Sequence, residues 1–123
     1  MLEDAKLVAF VATAEPERSK AFYRDVLGLR LVADEPWAIV FDASGTMLRV
    51  QKVRSLPNIE HTVVGWQVAD IRAVMRGLSE RGIVFARYAF IEQDEDAVWT
   101  TPDGAQIAWF RDPDGNTLSL TQF

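Results

Sequence analysis

The stretch Ala21-Phe22-Tyr23-Arg24-Asp25-Val26-Leu27-Gly28-Leu29 has the pattern of a helix end followed directly by a strand. Its apolar and aromatic residues fall on one helical face, at positions Phe22, Tyr23, Val26 and Leu27. Upstream, Pro16 suits the first position of a helix, where a missing N–H has no consequence. Gly28 is typical of the left-handed residue that ends a helix. The sequence therefore predicts a first helix from about Pro16 to Leu27.

A second helix is predicted from about Ile71 to Arg81. Asp70 is a favourable N-cap residue, and Gly82 repeats the helix-ending glycine. The apolar stripe of this helix consists of Ile71, Val74, Met75 and Leu78. Gly77 lies inside the helix, where glycine is unfavourable by up to about 1 kcal/mol relative to alanine. We therefore expect close packing against a sheet at this position.

Short runs rich in β-branched and apolar residues predict strands over most of the remaining chain. The predicted strands are Lys6–Ala12, Leu29–Ala33, Ala38–Asp42, Thr46–Val53, Thr62–Val68, Val84–Phe90, Ala105–Arg111 and Thr117–Gln122. Turns containing glycine, at Ser44-Gly45 and Asp112-Pro113-Asp114-Gly115-Asn116, predict β-hairpins. The order is β-α-β-β-β twice, with one module at 1–56 and the other at 59–123, which indicates an α+β fold.

The two modules form an internal repeat of unequal length. Glu15 and Asp70 each open a helix and stand 55 residues apart, whereas Gly45 and Gly115 each close a hairpin and stand 70 residues apart. The second copy is therefore longer by about 15 residues, which we place at roughly Tyr88–Gly104. Such a segment is either a functional lid or a solvated loop.

Composition excludes several classes of site and partner. The chain has 123 residues, 49% of them apolar, and a net charge of −5, as expected for one globular domain that does not bind nucleic acid. The absence of cysteine excludes disulfides and thiolate metal sites, and the single histidine, His61, excludes sites with two imidazoles from one chain. No apolar run approaches a membrane span, and the start at Met1–Asp4 is acidic, unlike a signal peptide. We expect a cytoplasmic protein with no membrane partner.

Two segments resemble the vicinal oxygen chelate superfamily, which includes glyoxalase I, bleomycin-resistance proteins and extradiol dioxygenases. They are the stretch Ala21–Leu29 and the closing Asp112-Pro113-Asp114-Gly115-Asn116-Thr117-Leu118. With the two-copy layout, the resemblance covers nearly the whole chain. It implies a glyoxalase-like fold of two βαβββ modules whose curved, mixed sheets form a cup, and it implies a homodimer. Both motifs are structural, so they define no activity.

Enzymes of this family hold a divalent metal with His, Gln or Glu side chains near the first strand of each module and Glu near the last. The matching positions here are Val8 and Arg49 in the first module, and Val63 and Ser119 in the second. Valine has no lone pair, arginine brings a positive charge, and a lone serine hydroxyl is a poor ligand. The resemblance therefore implies a protein without the usual metal site and without a cofactor.

Strand alternation assigns the side chains that would line the cup. The candidates are Val8, Phe10, Met47, Arg49 and Gln51 in the first module and Val63, Gln67, Ser119 and Thr121 in the second. The alternative for Arg49 is a place on a sheet that faces water. Inside the cup its guanidinium needs a partner, which we expect to be Asp94 or Glu92 from the longer segment, or an oxygen of the ligand.

Four further candidates lie outside these strands, namely Trp37, Trp99, His61 and Asp94. The two tryptophans are either ligand platforms or ordinary packing, whereas Trp66 is assigned to the core. Trp109 and Phe110 fall on opposite faces, and the sequence leaves open which is inside. His61 is either solvated or a general base. A displaced metal site with nearby acids also stays open, drawn from Glu60, Glu92 or Asp94.

Three functions fit these residues. The first is a metal-free protein of the bleomycin-resistance kind that binds a small molecule in its cup. The alternative is a lyase- or dioxygenase-type enzyme of the same superfamily with an atypical or absent metal. The third is a degenerate module that serves only to dimerise or to regulate.

Overall fold

The computed structural model describes residues 1–123, which divide into two compact units, Met1–Asn58 and Ile59–Phe123. The first unit contains β1 (Val8–Thr13), α1 (Pro16–Ala21), a π-helical turn (Phe22–Val26), β2 (Arg30–Asp34), β3 (Ala38–Ala43) and β4 (Thr46–Lys52). The second unit contains β5 (Thr62–Gln67), α2 (Ile71–Glu80), β6 (Trp99–Thr100), β7 (Gln106–Arg111) and β8 (Thr117–Gln122). The predicted α+β class with a βαβββ order in each half is confirmed. Neither helix has the length and apolar character needed to cross a membrane.

Each unit has its own mixed sheet of four strands, in the order β1-β4-β3-β2 in one and β5-β8-β7-β6 in the other. The first strand of each unit pairs in parallel with the last, and the hairpin partners pair antiparallel. Alternate residues of β4, such as Leu48 and Val50, are buried beneath the helix side of the first sheet. There the Tyr23 ring lies 5.9 Å from that of Phe41, and both side chains are fully buried. One face of each sheet is thus closed by the unit's own core.

The sequence predicted one helix from about Pro16 to Leu27, but only Pro16–Ala21 is α-helical. After Ala21 the chain widens into a π-helical turn, in which the Leu27 N–H donates to the Phe22 carbonyl oxygen at 3.0 Å. The wider turn accompanies the burial of two adjacent aromatic side chains, since Phe22 and Tyr23 both point into the core. Gly28 then ends the element with a φ of +76°, as predicted.

The second helix begins at its predicted cap, because the Asp70 carboxylate accepts the Ala73 N–H at 3.1 Å. Ile71, Met75 and Leu78 are buried. The expected close packing at Gly77 is wrong: the residue is exposed, and a β-carbon added there would meet nothing within 4 Å. Nothing in the folded protein therefore requires glycine at this position.

Replacing Gly77 with alanine is expected to raise the free energy of unfolding by about 0.5–1 kcal/mol, because alanine restricts the unfolded chain and favours the helix. Thermal unfolding should show a melting temperature higher by about 2–5 °C. Gly82→Ala is the matched control, because the φ of +93° there disfavours a side chain and should lower the melting temperature. A Gly77→Ala protein no more stable than the wild type would contradict the prediction.

The strand predicted over Val84–Phe90 is wrong, since this stretch is irregular and the edge strand of the second sheet is β6, inside the segment predicted as an insertion. The Ala86 N–H donates to the Trp109 carbonyl oxygen at 2.7 Å, beyond the end of the short β6. Further along, the Tyr88 N–H is taken at 2.7 Å by the side-chain oxygen of Gln93. The Gln93 side chain thus accepts a backbone N–H that, in a strand, would have bonded to a neighbouring strand.

Candidate functional site: the open sheet faces

The sheet face opposite the core of the first unit, here called open face 1, carries the predicted lining residues. Its rows across the sheet are Val8–Met47–Asp42–Arg30, Phe10–Arg49–Val40–Ala33 and Ala12–Gln51–Ala38. The predicted alternation of Met47, Arg49 and Gln51 is therefore correct. Several apolar side chains of this face remain in contact with water, and Phe10 is 55% exposed. A contiguous patch of exposed apolar side chains is typical of a binding surface.

Arg49 lies in the middle row of open face 1, between Phe10 and Val40. Its side chain is 28% exposed, and its Nη2 donates to Glu35 Oε1 at 3.0 Å. The other terminal nitrogen, Nη1, lies 4.0 Å from the sulfur of Met47. The predicted pairing with Asp94 or Glu92 is wrong, because the partner is Glu35 in the loop between β2 and β3. One carboxylate oxygen leaves most of the guanidinium donors available to a ligand.

The corresponding face of the second sheet, here called open face 2, is polar along β8 and carries Trp109 and Ile107 on β7. Ser119 and Thr121 pair with Gly65 and Gln67 on one side and with Trp109 and Ile107 on the other. The Ser119 hydroxyl fills the space that a β-carbon on Gly65 would need. Val63 lies at the register shift between Thr62 and Val64 and has no opposite residue in β8. Gln67, Ser119 and Thr121 thus share one face, as predicted.

Four aromatic side chains form a continuous cluster on open face 2. Trp99 and Trp109 are stacked with ring centroids 6.1 Å apart, and Tyr88 meets Trp109 edge-on at 5.6 Å. Phe90 extends the cluster at 5.4 Å from Tyr88. The indole N–H of Trp109 donates to the Thr62 hydroxyl at 3.0 Å, which fixes the orientation of that ring. The cluster is a broad aromatic surface suited to stacking against a planar ligand.

Of these four aromatic residues, only Trp99 was predicted as a site residue, and Trp109, Tyr88 and Phe90 were missed. Trp109 could have been found by continuing the alternation from Ser119 across the hairpin turn Asp112–Asn116, since the two residues are opposite each other. No comparable signal points to Tyr88 and Phe90, because they lie in the irregular stretch. Trp66 lies on the other face, opposite Leu120, and is half-buried, in line with its assignment to the core.

Two other predicted site residues are exposed at strand ends. Trp37 lies immediately before β3 and is 78% exposed. His61 lies just before β5, with its Nδ1 3.1 Å from the Thr62 carbonyl oxygen. Neither side chain is held by an ion pair, so the structure gives neither a specific role.

Asp94 fastens the long segment of the second unit to α2. Its Oδ2 accepts from Arg72 at 2.7 Å, and its Oδ1 accepts the N–H groups of Asp96 and Val98 at 2.9 and 3.0 Å. Burial alone would raise the pKa of Asp94, but these hydrogen bonds lower it below its ordinary value. Bonding to Asp94 likewise raises the pKa of Arg72, which also reaches Asp96 at 2.9 Å. These contacts hold this part of the segment against α2 of the same unit.

The sequence matches the family model of the Glyoxalase/Bleomycin resistance protein/Dioxygenase superfamily over residues 7–120. The chain belongs to this superfamily. Among solved structures of similar fold is a lactoylglutathione lyase from Agrobacterium tumefaciens, with a TM-score of 0.75, 19% identity and coverage of 97% of this chain and 93% of that chain. A superfamily member from Sphaerobacter thermophilus gives a TM-score of 0.73 at 21% identity, over 95% and 97% of the two chains. Among curated proteins, no sequence matches significantly.

The four positions that the family resemblance assigns to metal ligands carry side chains that are poor ligands for a divalent ion. They are occupied by Val8 and Arg49 on open face 1 and by Val63 and Ser119 in the second unit. No group of three or more His, Cys, Asp or Glu side chains is placed to hold an ion, which includes the alternative set around His61. These residues do not fit a divalent metal.

Proposed function

We propose that this superfamily member binds a small organic molecule against one of its open sheet faces without a metal ion. The observation that carries the proposal is the chemistry of the four positions that the family resemblance assigns to metal ligands, which are Val8, Val63, Arg49 and Ser119 in this chain. Arg49 in particular puts a fixed positive charge where relatives would place a carboxylate. Such a face can hold an oxygen-bearing ligand through charge-assisted hydrogen bonds instead of metal coordination.

The surroundings of these positions support the same proposal. Open face 1 offers apolar contact from Phe10 and Met47 beside the guanidinium of Arg49. Open face 2 offers the stacked rings of Trp99 and Trp109 beside the hydroxyl of Ser119. Mostly apolar surface with a few placed polar groups is the usual composition of a small-molecule site.

The proposal is tested with a panel of small aromatic acids, amides and amines, titrated while tryptophan fluorescence is recorded with and without a chelator. We expect at least one compound to quench the fluorescence equally in both conditions, with a smaller signal in Trp99→Phe and Trp109→Phe. The alternative enzyme would instead turn over the methylglyoxal–glutathione adduct, in line with the name of the Agrobacterium protein. Turnover that a chelator abolishes would overturn the proposal.

We propose in addition that the protein is a homodimer. Both sheets are open and end in edge strands, whose unpaired backbone groups favour pairing with a second copy. Light scattering is expected to give about twice the chain mass of 13.8 kDa. The mass of one chain at every concentration tested would contradict this prediction.

A further inference from the structure

We propose that a groove at one end of open face 1 binds an organic carboxylate with an apolar body. This inference rests on the proposed function and names the ligand class for the first unit. The groove has a volume of about 320 Å³, within the usual range for small-molecule sites. It lies over the row Val8–Met47–Asp42–Arg30, next to the β3–β4 turn at Gly45.

The walls of the groove are apolar and in contact with water. Leu7, Val8, Val32 and Met47 line it, and each is at least 40% exposed. Apolar side chains this exposed gain free energy when a ligand covers them, at about 25 cal/mol per Å² of apolar surface removed from water. The groove is therefore suited to an aromatic or aliphatic ligand body.

The groove carries more positive than negative charge, which favours an anionic ligand. Lys6 and Arg30 line it with one acid, Asp42, and Lys6 has no ion-pair partner. The Arg30–Asp42 ion pair is loose at 3.6 Å, and Asp42 also accepts the Gly45 N–H at 3.1 Å. One positive charge is left over in a protein whose net charge is −5. A singly charged carboxylate matches this excess and would compete with Asp42 for Arg30.

The test uses 2-naphthoate and its neutral counterpart of similar shape, 2-naphthamide, titrated into the full-length protein labelled with nitrogen-15. We expect the carboxylate to bind at least about tenfold more tightly, which corresponds to about 1.4 kcal/mol. The largest amide shifts are expected at Leu7, Val8, Val32 and Met47. The double variant Lys6→Gln/Arg30→Gln should lose the preference, whereas Asp42→Asn should strengthen naphthoate binding. Arg54→Gln removes one positive charge outside the groove and should alter neither the affinity nor the preference.

The outcomes separate this inference from the proposed function. Equal binding of the two probes, or naphthoate shifts at other residues only, would overturn carboxylate selection by the groove. If neither probe binds, the inference is also overturned, while a panel compound bound elsewhere on the open faces would leave the proposed function standing. Shifts of the groove amides with protein concentration alone would show that a second copy covers the groove, which would overturn the inference as well.

Discussion

Replacing Arg49 with alanine is expected to weaken binding of the tightest compound in the panel by at least about tenfold. The guanidinium is partly desolvated, is held by only one carboxylate oxygen, and has donors left for a ligand oxygen. Loss of one charge-assisted hydrogen bond is worth about 1.5 kcal/mol or more. Calorimetric titration of wild type and Arg49→Ala with the same compound measures the difference directly.

Two further variants separate binding from structure at this position. Arg49→Lys keeps the charge but loses the planar set of donors, so it should recover only part of the affinity. Glu35→Gln removes the carboxylate that competes for the guanidinium, so it should leave binding of an anionic compound equal or stronger. Equal affinity of wild type and Arg49→Ala would show that Arg49 does not contact the ligand.

Replacing Asp94 with alanine is expected to lower the free energy of unfolding by about 2 kcal/mol, because the buried Val98 loses the acceptor of its N–H and Arg72 loses its closest partner. Urea unfolding followed by circular dichroism measures the change. Asp96→Asn is the matched control, because it removes only the more exposed of the two ion pairs with Arg72 and should change stability by no more than about 0.5 kcal/mol.

The hydrogen bonds of Asp94 also predict how stability changes with pH. Folding lowers the pKa of Asp94 below its ordinary value of 3.8, so its stabilising contribution is present above that value and is lost as the pH falls through the lower, folded-state pKa. Below about pH 4, the wild type should therefore lose stability more steeply than Asp94→Asn. Parallel pH dependence of the two proteins would contradict the assigned role of Asp94.

Local signals in the sequence were enough to predict the fold. Gly28, Asp70 and Gly82 specified helix ends through backbone geometry and capping, which depend on a few neighbouring residues. Period-two alternation placed Arg49 and Ser119 on their correct faces. The stretch Val84–Phe90 failed because its apolar residues resemble a strand, while its backbone groups are satisfied partly by the side chain of Gln93.

The candidate site was predictable only where strand alternation reaches. The partner of Arg49 could not be derived, because Glu35 lies 14 residues away on a loop and no periodicity connects the two. Asp94 was expected as a partner of Arg49, but its carboxylate pairs with Arg72 on α2. Such pairings depend on where loops pass in three dimensions, which spacing along a chain does not encode.

Metal-independent binding is tested most directly by elemental analysis combined with calorimetry on one preparation, before and after dialysis against a chelator. We expect the transition-metal content to be far below one ion per chain, and we expect the tightest panel compound to bind with unchanged affinity after dialysis. About one zinc, nickel or iron ion per chain retained through dialysis would contradict it. Binding that is lost with the chelator and restored by adding back the ion would contradict it equally.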